Sequence, residues 1–238
     1  MIDIDSIKQS ENVGIILAYD IEGSSLNNLL ALIDEIHDDL VGLKIHNEIL
    51  GFSDGENELL YDMCHAYGLF LWEDRKFNDI GATFQKQVKR YEKFRDVISV
   101  SPMSGSDILK AETSLSIFVL VEMSSRNNLF TRDVSQKILD MVAFEKLSGN
   151  TNIKGIICQN NEFINTRLPV LTIKPGINLS ATGDALGQTY SNLSGDLPGM
   201  IVVGRGITKS ADPATEIQKY KIAKKTQISI TKKKVSKS

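Results

Sequence analysis

Residues 69–79 read LFLWEDRKFND, an apolar, strand-forming run that passes directly into five acids and bases. In an amphipathic helix the two kinds of residue would interleave every three or four positions. Here they are segregated, so the stretch predicts a strand over 69–73 with a charge cluster at its end. Similar runs of mostly apolar residues recur on both sides, at 13–19 (VGIILAY), 40–45, 97–100, 116–121, 153–158, 169–173 and 199–203. Between them lie amphipathic stretches, such as 25–37, 79–94 and 133–146, each able to lay an apolar stripe against a sheet. Strands alternating with helical segments indicate a parallel sheet with crossover helices. Eight such units in this length predict a single-domain α/β chain, a (β/α)8 TIM barrel over residues 1–220, with a lysine-rich tail over 221–238. The sixth crossover, near 159–167, is too short for a full helix, and residues 2–9 are expected to close the barrel floor as an extra helix.

A chain of 238 residues suffices for one such core, and 42% apolar with 24% charged residues is ordinary for a folded globular protein. The formal charge of −3 conceals an asymmetry. Residues 219–238 carry eight lysines and no acid, so the other 218 hold 19 basic against 30 acidic side chains, a balance of −11. A body that acidic has no general field for nucleic acid, and an anionic ligand needs local cations. Cys64 and Cys158 have neither metal-ligand spacing nor the look of a disulfide framework, which suits a reducing cytoplasm. The stretch MIDIDSIKQSENVG lacks the features of a signal peptide, and no apolar run is long enough for a membrane span.

Candidate functional residues fall at the strand ends, which converge on one face of a barrel. Asp20 follows the first strand, Lys44 and His46 end the second, Asp74 and Lys76 follow the third, Ser124 the fifth and Arg205 the eighth. Asp74 and Lys76, two residues apart, point the same way, with Asp79 opening the next helix. A lysine held between carboxylates stays protonated and is a poised proton donor. Lys44 lies in an apolar strand and needs a partner; joining Asp20, Asp74 and Lys76 it makes an array of alternating charge. His46 is read as a structural hydrogen-bonding histidine. Ser124 has no G-x-S-x-G elbow and no suitable histidine nearby, so it reads as a hydrogen-bonding serine rather than a nucleophile. In VVGRGI at 202–207, Gly204 and Arg205 follow the last strand, where phosphate sites recur in barrels. Gln188 and Tyr190 end the long polar loop 174–190 and can donate hydrogen bonds near Arg205.

Taken together, these segments resemble the orotidine 5'-monophosphate decarboxylase family over about residues 13–220. DRKFNDIGAT at 74–83 is similar to that family's D-x-K-x-x-D signature, and LKIH at 43–46, EMSS at 122–125, GDALGQTY at 183–190 and VVGRG at 202–206 match in the same order. The resemblance implies decarboxylation of orotidine 5'-monophosphate to UMP, the last step of de novo pyrimidine nucleotide synthesis, without metal or other cofactor. It implies that Lys76 protonates C6, that Asp74 lies against the substrate carboxylate, that Lys44 bridges ribose and Asp74, and that Asp20 binds the ribose. Asp79 and Thr83 would reach the neighbouring subunit's substrate in a homodimer with shared sites. Ser124 would read the pyrimidine edge, with Pro175 packing nearby, and Gln188, Tyr190, Gly204 and Arg205 would hold the phosphate. No phosphoribosyltransferase domain is expected before the barrel. Related barrels that act on sugar phosphates through magnesium keep the signature but place an acidic metal ligand where Lys44 stands.

Overall fold

Strands β1 (Gly14–Tyr19), β2 (Gly42–Ile45), β3 (Phe70–Phe77), β4 (Val97–Val100), β5 (Ser116–Leu120), β6 (Ile153–Ile157), β7 (Leu171–Lys174) and β8 (Met200–Val203) pair in chain order, all parallel. β8 pairs with β1 and closes the barrel. The computed structural model describes Ile4, residues 14–179, residues 190, 191 and 193, and residues 199–223. Both the expected floor helix, apart from Ile4, and most of the lysine-rich tail lie outside these residues. Among the described residues no helix is long and apolar enough to cross a membrane.

Near-continuous apolar strands are what a sheet buried on both faces requires. Inward residues Ile16, Phe70, Trp72, Phe118, Ile173, Met200 and Val202 fill the barrel interior, with Ile4 packed into the same cluster. Outward residues pack beneath the helices α1 (Leu26–Ile36), α3 (Asp54–Ala66), α4 (Gly81–Val88) and α5 (Arg132–Leu147). Helix starts follow local chemistry. Ser25 caps α1, Thr131 caps α5, and Ser53 with Glu56 forms a reciprocal capping box on α3. Single turns α2 (Asn47–Leu50), α6 (Asn161–Ile164) and α7 (Arg205–Thr208), with α8 (213–223), complete the described helices.

Three expectations change. The third strand does not stop at 73 but runs through the charge cluster to Phe77, because backbone pairing with β4 continues at Phe77 and Val100. The single helix expected over 79–94 is α4 followed by a 3-10 turn at Tyr91–Lys93. There Tyr91 and Phe94 stack edge-on in the core and buried Arg95 pairs with Glu73. The fourth crossover has no α-helix, only 3-10 turns at Pro102–Ser104 and Ser106–Lys110 on either side of Gly105, whose φ of 120° breaks the helical path. The sixth crossover is short, as expected, with the single turn of α6.

Gly42 faces the barrel interior opposite Phe70, and a Cβ there would meet the Phe70 ring at 2.5 Å. Gly42→Ala is therefore expected to destabilise by about 1–3 kcal/mol through overpacking. Gly55→Ala, in open space on α3, is expected to be neutral or stabilising by at most about 1 kcal/mol. Urea denaturation of the two variants checks the contrast.

Candidate active site

Side chains alternate along a strand, so every second residue of β1, β2 and β3 points into the barrel. Ile16, Ala18 and Asp20 form one such series, Gly42, Lys44 and His46 the next, and Phe70, Trp72 and Asp74 the third. Ala18, Lys44 and Trp72 are register partners, so Lys44 starts one layer below Asp20 and Asp74 and rises between them. Its Nζ lies 3.2 Å from Asp20 Oδ2 and 3.3 Å from Asp74 Oδ2. Lys76 Nζ donates to the same Asp74 Oδ2 at 2.9 Å. The result is a row of alternating charge, Asp20, Lys44, Asp74, Lys76, with Lys44 and Asp74 buried and Lys76 half-buried. His46 joins it through Nδ1, 2.7 Å from Asp20 Oδ1, with Nε2 3.7 Å from Asp74 Oδ2.

Charge partners overcome burial in this row. For Asp74, burial opposes ionisation, yet the ammoniums of Lys44 and Lys76 win and lower its carboxyl to about 2. Burial would likewise depress the Lys44 ammonium, but Asp74 and Asp20 outweigh it and push it up. Asp20 is lowered against its own burial by the His46 hydrogen bond and by Lys44. Both carboxylates are thus ionised and Lys44 is charged near neutral pH.

Between Glu73 and Phe77 the pairing of β3 with β4 slips, so that Asp74, Arg75 and Lys76 face Ser99 alone. Lys76 adopts φ 54°, the left-handed region that a lysine rarely enters. Behind the row, on the outer face of the sheet, buried Arg95 forks onto Glu73 Oε2 at 3.2 and 3.1 Å, and Glu73 Oε1 accepts the Asn47 N–H at 2.9 Å. That ion pair fixes the turn carrying His46.

The row forms one wall of a cavity of about 870 Å³ at the C-terminal mouth of the barrel. Ser124, Pro175, Tyr190, Gly204 and Arg205 line it as well, with the Arg205 guanidinium 5.3 Å from the centre of the Tyr190 ring. Nine of the residues expected from sequence, Asp20, Lys44, Asp74, Lys76, Ser124, Pro175, Tyr190, Gly204 and Arg205, therefore share one cavity. Gln188 lies outside the described residues. Asp79 and Thr83 do not line this cavity; Asp79 instead accepts hydrogen bonds from the Ile80 N–H and from Gln87 Nε2 at the start of α4.

A family model described as orotidine 5'-phosphate decarboxylase / HUMPS family matches residues 14–220. The chain belongs to that family. Among curated relatives, an orotidine 5'-phosphate decarboxylase of Aureobasidium pullulans is 28% identical over 84% of this chain and 77% of its own. One of Candida parapsilosis is 27% identical over 87% of this chain and 83% of its own. A crystal structure of orotidine 5'-monophosphate decarboxylase from Methanocaldococcus jannaschii, complexed with inhibitor BMP, shares the fold with a TM-score of 0.68 at 21% identity. That match covers 90% of this chain and 99% of the other. Membership of the decarboxylase / HUMPS family agrees with the closed eight-stranded barrel.

Sequence reasoning passed over Glu122 and Ser99 at this site and gave His46 only a structural hydrogen-bonding role. His46 has the same inward parity as Lys44, which was signal enough to place it on the cavity wall. Glu122 also lines the cavity, accepting the Gln159 and Asn160 N–H groups at 2.7 and 2.8 Å and so shaping the turn after β6. Ser99 gave only a weak signal, one hydroxyl among the apolar residues of β4.

Because the Asp74 carboxyl is held below its unfolded value, its share of stability is present above about pH 4 and is lost as pH falls through about 2. The shift corresponds to roughly 2 kcal/mol. The difference in unfolding free energy between wild type and Asp74→Asn should accordingly be constant above pH 5 and shrink as the pH approaches 2, by denaturant titration at each pH.

Proposed function

We propose that this protein decarboxylates orotidine 5'-monophosphate to UMP, the closing reaction of de novo pyrimidine nucleotide synthesis, through electrostatics and a lysine proton donor. The observation that carries the reading is Lys44, a buried ammonium seated between the Asp20 and Asp74 carboxylates. A divalent cation stabilising an enediolate would need those same oxygens and would meet the charge of Lys44 instead. The alternating row suits a reaction in which charge develops on carbon.

In the proposed reaction the bond from C6 to the carboxylate breaks and its electron pair stays on C6. Lys76 Nζ lies at the cavity wall, held 2.9 Å from Asp74, and its proton forms the new C6–H bond. Water then returns a proton to the amine. An ammonium already in place when the carbanion forms stabilises the transition state more than the ground state, with no reorganisation at the moment of reaction. Asp74, fixed in its ionised state, repels the substrate carboxylate and favours its departure. Asp20 and Lys44 are the ribose partners, Ser124 and Pro175 flank the base, and Gln188, Tyr190, Arg205 and the Gly204 backbone take the phosphate. Binding energy from phosphate and ribose, remote from the bond that breaks, holds the carboxylate against Asp74.

The reading extends to a homodimer with shared sites. Asp79 and Thr83 do not line their own cavity and lie near Ile80, which is 64% exposed, and Met103, which is 44% exposed. Ser104 ties these loops together by donating to Asn78 Oδ1 and to the Asp79 carbonyl. An exposed apolar pair beside a carboxylate and a hydroxyl suits a second copy, to whose substrate Asp79 and Thr83 would reach. Cytoplasmic residence fits two free, buried cysteines.

Purified protein in EDTA is expected to convert orotidine 5'-monophosphate to UMP, followed by the ultraviolet absorbance of the pyrimidine. Activity that disappears in EDTA and returns with magnesium would transfer the chain to the sugar-phosphate branch. For shared sites, mixing inactive Lys76→Ala and Asp79→Ala proteins should restore activity, since each hybrid dimer has one intact site and random exchange gives roughly a quarter of wild type. No recovery after demonstrated subunit exchange would refute sharing.

A further inference from the structure

We infer that Ser99 is a positioning residue of the reaction, whose one hydroxyl clamps the Asp74 carboxylate and the Lys76 backbone into a single unit. The inference rests on the decarboxylase reading and adds to it a residue that does not line the cavity. Ser99 sits on β4, fully buried, opposite the slip in β3. The Lys76 N–H lies 2.9 Å from its Oγ, and Oγ lies 2.7 Å from Asp74 Oδ1.

The polarity of this relay is forced. A backbone N–H can only donate, so Ser99 Oγ accepts from Lys76 and turns its own proton to Asp74 Oδ1. With Oδ1 so engaged, Oδ2 is the oxygen left to the ammoniums of Lys44 at 3.3 Å and Lys76 at 2.9 Å. The same hydroxyl holds the left-handed backbone at Lys76, a conformation that persists only where its surroundings over-determine it. Both ends of the proton donor are therefore referred to one carboxylate. Its backbone is tied through Ser99 to Oδ1 and its Nζ directly to Oδ2. The apolar residues found elsewhere on β4, Val97, Ile98 and Val100, could supply neither bond.

Ser99→Ala removes both bonds while leaving the phosphate, ribose and base partners in place. A small misplacement of Lys76 and Asp74 should lower kcat by about 10- to 100-fold. The KM for orotidine 5'-monophosphate and the Kd for UMP, by calorimetry, should stay within about threefold of wild type. Ser99→Thr keeps the hydroxyl and should recover most of the lost kcat. Wild-type kcat in Ser99→Ala would overturn the inference, as would a Ser99→Thr protein that binds UMP normally yet stays as slow as Ser99→Ala. Loss of UMP binding in both variants would make Ser99 structural and equally overturn it. A wild-type protein that binds UMP but leaves orotidine 5'-monophosphate unchanged would instead sink the functional reading.

Discussion

One oxygen atom, Oδ2 of Asp74, receives the ammoniums of both Lys44 and Lys76, and the rest of the site is arranged around that convergence. A carboxylate and an amine so deeply buried are each costly alone, and removing either partner leaves an uncompensated charge. Alternation of sign along Asp20, Lys44, Asp74 and Lys76 makes the row self-neutralising. Where Lys44 and Asp74 are buried, each of these contacts counts for more than it would at the surface. The barrel supplies what such a row needs, three adjacent parallel strands whose inward positions align their side chains at one mouth.

The two halves of the barrel divide the work. Strands β1 to β4 hold the charged row, its backing pair Glu73 and Arg95, and Ser99. The segments after β5 to β8 present the groups suited to base and phosphate, from Ser124 and Pro175 to Tyr190 and Arg205. In the proposed reaction, such a separation would let one end of a nucleotide anchor the other against the charged wall. Only the wall would then have to be rigid to the accuracy that proton transfer demands. There the chain spends its unusual geometry, a slipped pairing and a left-handed lysine, and there a buried hydroxyl compensates for it.

Much of this was legible in the sequence for identifiable reasons. Strands buried on both faces are continuous apolar runs, so all eight could be found, and the abrupt change at WED marked where β3 meets the mouth. Its true end at Phe77 was hidden because pairing is made by the backbone, which β4 continues to satisfy beneath a charged cluster. Lys76 carried no mark of its left-handed backbone, since that conformation is imposed by neighbours rather than chosen by a glycine or asparagine. His46, read as a hydrogen-bonding histidine, bonds Asp20, and its parity with Lys44 places it on the same wall. The fourth crossover has no helical period to read, and Asp79, expected at the site, does not line the cavity of its own chain.

The most direct test of the account is the turnover number of Lys76→Ala with saturating orotidine 5'-monophosphate in EDTA, alongside UMP affinity as a measure of an intact site. Loss of the proton donor should lower kcat by about 10² to 10⁴ or more while UMP still binds. A Lys76→Ala protein that binds UMP and turns over within about tenfold of wild type would contradict the central role given to this lysine.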